Sequence, residues 1–74
     1  MKVVMYGATT CSKCHVLRAK MDQAGITYEY IDDISTIKSS VPKGWMTVPI
    51  LNVDGKWYQF AEAVKWINEK GNNA

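Results

Sequence analysis

The sequence predicts an α/β fold in the order βαβ-(α)-ββα, on three observations. A β-branched apolar run opens the chain, a helix-forming stretch ending on a glycine follows, and an alternating aromatic-rich run comes next. A strand, a helix and a strand of these lengths make a right-handed βαβ unit with parallel strands. Further on, an Asp-Gly pair between two short β-prone runs marks a hairpin, and apolar residues at helical spacing close the chain. At 74 residues this is a single domain, 1–74. A domain of this size buries only about 60% of the surface its unfolded chain exposes, so its core is thin.

Each element has its own signal. KVVMY (2–6) is long enough for a buried strand, and GATT (7–10) is a loop carrying helix-start residues. Good helix formers fill 11–24, and Gly25 is a usual stop. On that helix Cys14, Leu17, Met21 and Ala24 share one face. TYEYID (27–32) alternates and reads as the second strand. DISTIKSS (33–40) fits a short helix with Ser35 as its cap, and VPKGWMT (41–47) is loop. VPILNV (48–53) is the third strand, Asp54-Gly55 a tight turn, and KWYQ (56–59) the antiparallel fourth strand. The last helix covers 60–70, with a stripe of Phe60, Ala63, Val64 and Ile67. Gly71 ends it and 72–74 reads as a frayed tail. Trp57 and Phe60 are expected in the core, and Trp66, off the stripe, partly exposed.

Composition and charge exclude several classes. The apolar fraction is 47%, too high for disorder. There is no apolar run of roughly 18 residues, hence no membrane span. The opening apolar stretch is too short for a secretory signal, so a soluble, cytoplasmic protein is expected. Net charge is +2 but unevenly spread. Residues 1–21 hold Lys2, Lys13, Arg18 and Lys20 without an acid, and 34–53 hold Lys38 and Lys43 without one. Asp22, Glu29, Asp32 and Asp33 lie between. No dense basic stripe interleaved with aromatics occurs, so nucleic acid is not an expected partner.

Cys11-Ser12-Lys13-Cys14 admits three chemistries: thiol redox, haem attachment through C-x-x-C-H ending at His15, and half of a zinc site. As a staple, a bridge over so short a loop contributes about 2 kcal/mol, against about 3 for a 15-residue loop. The pair therefore reads as chemistry rather than scaffolding. A structural zinc site wants four ligands, and the chain has two cysteines and one histidine, so no metal is expected. Haem would want a second axial ligand, for which Met1, Met5, Met21 and Met46 qualify by type alone. Cysteines that open a helix directly after an apolar strand suit redox better, because exchange needs a thiolate and a helix N-terminus favours negative charge. Lys13 adds a cation, and His15 lies one turn on. Cys11, off the apolar stripe, is the expected exposed attacking thiol, and Cys14, on the stripe, the sheltered thiol that resolves the mixed disulfide. His15 reads as a solvated surface residue.

The C-S-K-C motif after a first strand, together with T-V-P (47–49) followed by a strand, a D-G turn and a final helix, resembles the glutaredoxin branch of the thioredoxin superfamily over nearly the whole chain. The resemblance implies a minimal thioredoxin-like fold, a four-stranded mixed sheet flanked by helices on both faces, with Pro49 cis and facing the cysteines. It implies a small dithiol–disulfide oxidoreductase in which Cys11 and Cys14 are catalytic. Thr47, Val48 and Pro49 would form the substrate platform, where an extended segment pairs with Val48 as an added strand. Lys13 beside the thiols, Tyr6 at the end of the first strand and Trp45 before the platform are further candidate substrate contacts. No bound cofactor is implied, only an external electron donor, either glutathione or thioredoxin reductase. The implied partners are disulfide-containing proteins, with ribonucleotide reductase a candidate, and a monomer suffices. Glutaredoxins tend to carry a lysine shortly before the first cysteine and paired glycines before the last helix. Ala8 and Tyr58-Gln59 stand there, while W-Y-Q-F (57–60) is similar to a segment of the redoxins that take electrons from thioredoxin reductase. The reading outside enzymology is a module that docks peptide at Val48-Pro49 without turnover, against which the intact cysteine pair argues.

Overall fold

The structure, a computed structural model, describes residues 1–45 and 47–71. Met46 and the stretch 72–74 lie outside the described residues, and with them the reading of 72–74 as a tail. The order is β1 (Val3–Tyr6), α1 (Ser12–Gln23), β2 (Glu29–Ile31), α2 (Ile34–Ser40), β3 (Ile50–Val53), β4 (Lys56–Tyr58) and α3 (Phe60–Gly71). The strands form one mixed sheet in the order β2-β1-β3-β4. β1 pairs with β2 in parallel, Val4 opposite Glu29 and Tyr6 opposite Ile31. β3 runs antiparallel to both β1 and β4, with Met5 opposite Leu51 and Asn52 opposite Trp57.

Strand alternation divides the core between the two faces. Val3, Met5, Leu51 and Val53 point to one face, where α1 brings Cys14, Leu17 and Met21 and α3 brings Ala63, Trp66 and Ile67. Val4, Tyr6 and Ile50 point to the other, covered by Ile37 of α2 with Trp45 and Trp57 packed alongside. Both faces of β1 are buried, which is why its sequence is continuously apolar.

The boundaries follow from local chemistry. α1 ends in a Schellman motif: Gly25 has φ +71°, its N–H donates to the Asp22 carbonyl at 3.2 Å, and the Ile26 N–H donates to the Met21 carbonyl at 3.0 Å. Asp54 and Gly55, with φ of 51° and 93°, make the primed turn that joins β3 to β4. The Lys2 N–H donates to Asp54 Oδ1 at 2.7 Å and fastens that turn to the start of the chain.

Four sequence expectations are corrected. α2 is capped by Asp33 rather than Ser35: Asp33 Oδ2 accepts the Thr36 N–H at 3.0 Å, and the Thr36 hydroxyl, together with this N–H, holds the carboxyl below its usual range. The helix that Gly71 was expected to end includes Gly71. β2, β3 and β4 are shorter than 27–32, 48–53 and 56–59, because their ladders stop where the partner strand stops and β3 starts only after Pro49. Trp66 is only 9% exposed. α3 turns Ala63, Trp66 and Ile67 inward, and the Trp66 ring sits 6.3 Å from that of Tyr58, which leaves Phe60 and Val64 at the edge of the stripe.

Leu17 is fully buried where α1 meets the sheet. Leu17→Ala is expected to cost about 2–5 kcal/mol, a large part of what a small domain has. Urea unfolding of the reduced protein checks it; a shift corresponding to less than about 1 kcal/mol would mean that the face of α1 is repacked rather than emptied.

Candidate active site

The thiol pair sits where α1 begins. The loop after β1 turns at Thr9-Thr10, with the Cys11 N–H donating to the Ala8 carbonyl at 3.2 Å. Cys11 is the N-cap of α1: its Sγ accepts the Cys14 N–H at 3.2 Å, one of the N–H groups that a helix start leaves unpaired. Its S–H donates to the Val48 carbonyl at 3.8 Å. Cys11 is therefore held between the helix terminus and the T-V-P segment, and it is half-buried rather than exposed as expected. Cys14, one turn on, is 0% exposed in the core under α1. Both cysteines are free thiols.

Burial pushes the Cys14 thiol up to about 11, helped by its hydrogen bond to Cys11 and opposed by the Ala8 backbone N–H. The two thiols are thus chemically unequal. Cys11 is accessible and adjoins unpaired helix N–H groups, whereas Cys14 is neutral at ordinary pH and screened by the core.

The Val48-Pro49 peptide bond is cis, as the family resemblance implied. Pro49 is buried, Val48 half-buried and Thr47 exposed. Thr47 and Val48 form a ridge between two depressions. One, of about 360 Å³, is lined by Lys13, Pro49, Gln59, Phe60 and Glu62 beyond the ridge. Lys13 reaches across it, with Nζ 5.5 Å from the Phe60 ring centroid. The other, of about 520 Å³, is predominantly apolar and includes Ala8, Ile37, Lys38, Lys43 and Trp45. Lys13, Thr47, Val48 and Pro49 accordingly line one depression beside the Val48 carbonyl that Cys11 meets, while Trp45 lines the other and packs with Trp57 on the α2 face.

Tyr6 does not join them. β1 alternation sends its ring to the α2 face, where it stacks 5.7 Å from Trp57, while Cys14 and Cys11 pack on the α1 face. The expectation that Tyr6 lies near the thiols is corrected for that reason. His15 also turns away, its Nε2 lying 2.7 Å from the Thr9 carbonyl oxygen. Among the described residues no group of three His, Cys, Asp or Glu side chains converges as a metal set would. Met5 and Met21 are fully buried. A porphyrin joined to Cys14 would have to open the core. Two neighbours escaped the sequence reading. A Cβ on Gly7 would lie 3.0 Å from Cys14 Sγ and 3.1 Å from Tyr30 Cε1, so glycine at 7 leaves the room that both occupy. The alternation of 27–32 carried the signal for Tyr30, but only the register of β2 against β1 shows what it faces.

The raised Cys14 value ties stability to pH. A thiol held neutral by the fold favours the folded state. That contribution is complete below about pH 9, where the thiol is neutral folded and unfolded alike, and is lost as pH rises through about 11. Reduced protein is expected to lose stability between these pH values more steeply than Cys14→Ala, as read from urea midpoints. Equal slopes in the two proteins would contradict the buried neutral thiol.

The family model described as Glutaredoxin matches residues 3–58, more than half of the chain. No curated protein sequence matches significantly. Among solved structures, the chain is similar to the glutaredoxin-like protein NrdH-redoxin from Escherichia coli, with TM-score 0.78, 19% identity and 93% of both chains covered. It is also similar to glutathione S-transferases from Ascaris lumbricoides (TM-score 0.76, 19% identity) and from the hookworm Necator americanus (TM-score 0.78, 22% identity). In both transferases the match takes in 97% of this chain and 37% of theirs. At these identities the structures speak for the fold, which is thioredoxin-like. The family rests on the sequence match together with the C-S-K-C helix start and the cis-proline segment facing it: this chain belongs to the glutaredoxin family.

Proposed function

We propose that the protein is a dithiol–disulfide oxidoreductase in which Cys11 attacks a substrate disulfide and Cys14 resolves the product. The observation that carries this reading is the inequality of the two thiols: Cys11 at the helix cap, adjoining the Val48 carbonyl, and Cys14 neutral in the core. In the first step the Cys11 thiolate bonds to one substrate sulfur and the other leaves as a thiolate. In the second, Cys14 bonds to Cys11 Sγ and releases the remaining substrate thiol, leaving a Cys11–Cys14 disulfide. The external donor then returns two electrons.

An extended segment of a disulfide-containing protein lies along the Thr47-Val48-Pro49 ridge and pairs with the Val48 backbone. In the resting state the Val48 carbonyl accepts the Cys11 S–H. Once Cys11 is in a mixed disulfide it has no S–H, and that carbonyl is available to the substrate. Lys13 with Phe60 on one side and Trp45 on the other supply flanking contacts. The protein acts as a cytoplasmic monomer without a bound cofactor, on protein disulfides such as that of ribonucleotide reductase. The description of NrdH-redoxin as having a thioredoxin-like activity profile supports this partner class by analogy.

Thioredoxin reductase is the preferred donor. Glutathione carries carboxylates that need placed cations. With Ala8 where glutaredoxins tend to have lysine, one charge-assisted contact worth about 1.5–3 kcal/mol is missing. Tyr58 and Gln59 in place of paired glycines restrict close approach of a ligand to the backbone. Lys38 and Lys43 line the larger depression and Lys13 the smaller, but none of them stands at the position of that missing lysine.

Cys11→Ser is expected to abolish disulfide reduction, and Cys14→Ser to stop after the first step with a substrate-sized mass increment on Cys11. Faster alkylation of Cys14 than of Cys11 at neutral pH would reverse the roles, and absence of turnover with every donor would leave a peptide-docking module. Steady-state rates at matched substrate should be higher with a thioredoxin-reductase system than with glutathione. A glutathione rate at least as high would show that Ala8, Tyr58 and Gln59 do not decide the donor.

A further inference from the structure

The resolving thiol has a neighbour that the exchange reaction as described does not use. Tyr30 follows the alternation of β2 onto the α1 face and packs against the cluster that holds Cys14. Its hydroxyl is shut off from solvent and has no hydrogen-bond partner among the described residues. Buried hydroxyls are normally paired, so an unpaired one on a ring that shares its space with Cys14 calls for a reason. The ring is fixed from two sides. Arg18 of α1 lies over its face, Cζ 4.1 Å from the centroid, and donates through Nε to the Tyr28 hydroxyl at 3.3 Å. On the other side the ring edge and Cys14 Sγ share the space that Gly7 leaves open: a Cβ there would meet Sγ at 3.0 Å and Tyr30 Cε1 at 3.1 Å.

We propose that Tyr30 is a positioning residue for the resolving step, its O–H being the side-chain donor to the Cys14 thiolate as that sulfur attacks the mixed disulfide. This rests on the exchange reaction proposed above. In that step Cys14 gives up its proton and its Sγ bonds to Cys11 Sγ. The bond from Cys11 Sγ to the substrate sulfur breaks, and its electron pair leaves on the substrate sulfur, which takes up a proton. The cysteine pair is oxidised by two electrons and the substrate disulfide is reduced by two over the full exchange. Tyr30 keeps its own proton throughout, because burial and the nearby Cys14 raise its pKa by more than the neighbouring Arg18 lowers it.

The surroundings of Cys14 leave few other donors. α3 faces it with apolar residues, Ala63 and Ile67. Lys13 extends toward Phe60, and Arg18 is engaged with Tyr28 and the Tyr30 ring. The Ala8 backbone N–H favours the thiolate, while Cys11 and burial oppose it. When Cys11 is tied up in the mixed disulfide its opposition is gone, and burial is countered by the Ala8 N–H and the Tyr30 O–H. A purely structural role would be better filled by phenylalanine, which packs the same ring without an unpaired hydroxyl. Stability and resolution should therefore respond to Tyr30→Phe in opposite directions.

The test mixes reduced protein with one equivalent of dithiobis(nitrobenzoate), whose released thiolate is coloured. A bimolecular phase reports attack by Cys11, and a concentration-independent phase reports release by Cys14. In Tyr30→Phe the first phase is expected to be unchanged. The second should slow by about tenfold or more, the effect of losing a hydrogen bond to a charged group, and its pH dependence should move to higher pH. The urea midpoint should be equal to or above that of the unsubstituted protein. A second phase with unaltered rate and pH dependence overturns the inference. So does slowing of both phases by one factor, or a lowered urea midpoint, since either marks Tyr30 as a packing residue. If the unsubstituted protein shows no concentration-independent phase, the role of Cys14 itself falls, and this inference with it.

Discussion

Cys14 enters the core as a small apolar side chain, at 0% exposure, and the geometry of the site follows from where that burial puts the first turn of α1. Its Sγ comes so close to β1 that residue 7 has no room for a side chain. With Cys14 seated there, its N–H points back along the helix to Cys11 Sγ, and Cys11 in turn meets the Val48 carbonyl. A reactive cysteine on a free helix end would be exposed on all sides. Here the cap is clamped between a helix terminus and the segment that leads into β3. The same burial holds the Cys14 thiol neutral, since a thiolate taken from water into apolar surroundings is penalised.

A thin core makes each face of the sheet serve packing and chemistry at once. On the α1 face, Leu17, Met21, Ala63, Trp66 and Ile67 close over Met5 and Leu51 and hold Cys14 in place. On the other face, Tyr6, Trp57 and Trp45 pack along the sheet with Ile37 of α2. That face sets the far wall of the larger depression, so α2 reaches the site through Ile37 and Lys38 although it carries no thiol. The ridge of Thr47 and Val48 belongs to both depressions, so the backbone that meets Cys11 also separates them.

The parts of this arrangement that are local in sequence were legible in it. The order of elements, the Gly25 stop, the Asp54-Gly55 turn and the sheltering of Cys14 all follow from spacing within a few residues. The parts that depend on pairing between distant segments were not. KVVMY reads as one apolar run, and nothing in it tells that Met5 faces α1 while Tyr6 faces α2. Tyr6 was therefore expected beside the thiols, where its neighbour in the alternation points instead. Trp66 was expected to be partly exposed because a helical wheel centred on Phe60 and Val64 misses the rotation that packs its ring against Tyr58 of β4. Asp33 displaced Ser35 as the cap because a carboxylate one residue before the helix can reach the Thr36 N–H. The proximity of Gly7, Tyr30 and Cys14 joins three elements, so only the register of β2 on β1 could disclose it.

The fold itself does not choose among the chemistries available to it. One architecture matches a redoxin over nearly its full length and transferases over about a third of theirs. The choice therefore falls to single residues around the thiols. In the proposed exchange, a second cysteine one turn into α1 resolves the mixed disulfide internally, provided that its proton can be released inside the core. Burial makes that release difficult, and the Ala8 N–H makes it easier. In the resting pair Cys11 adds to the difficulty. In the proposed exchange, formation of the mixed disulfide would remove that opposition, so completion of the first step would lower the obstacle to the second. The order of the two proposed steps would then follow from the burial of Cys14 together with its contact with Cys11, which hold the resting Cys14 thiol protonated.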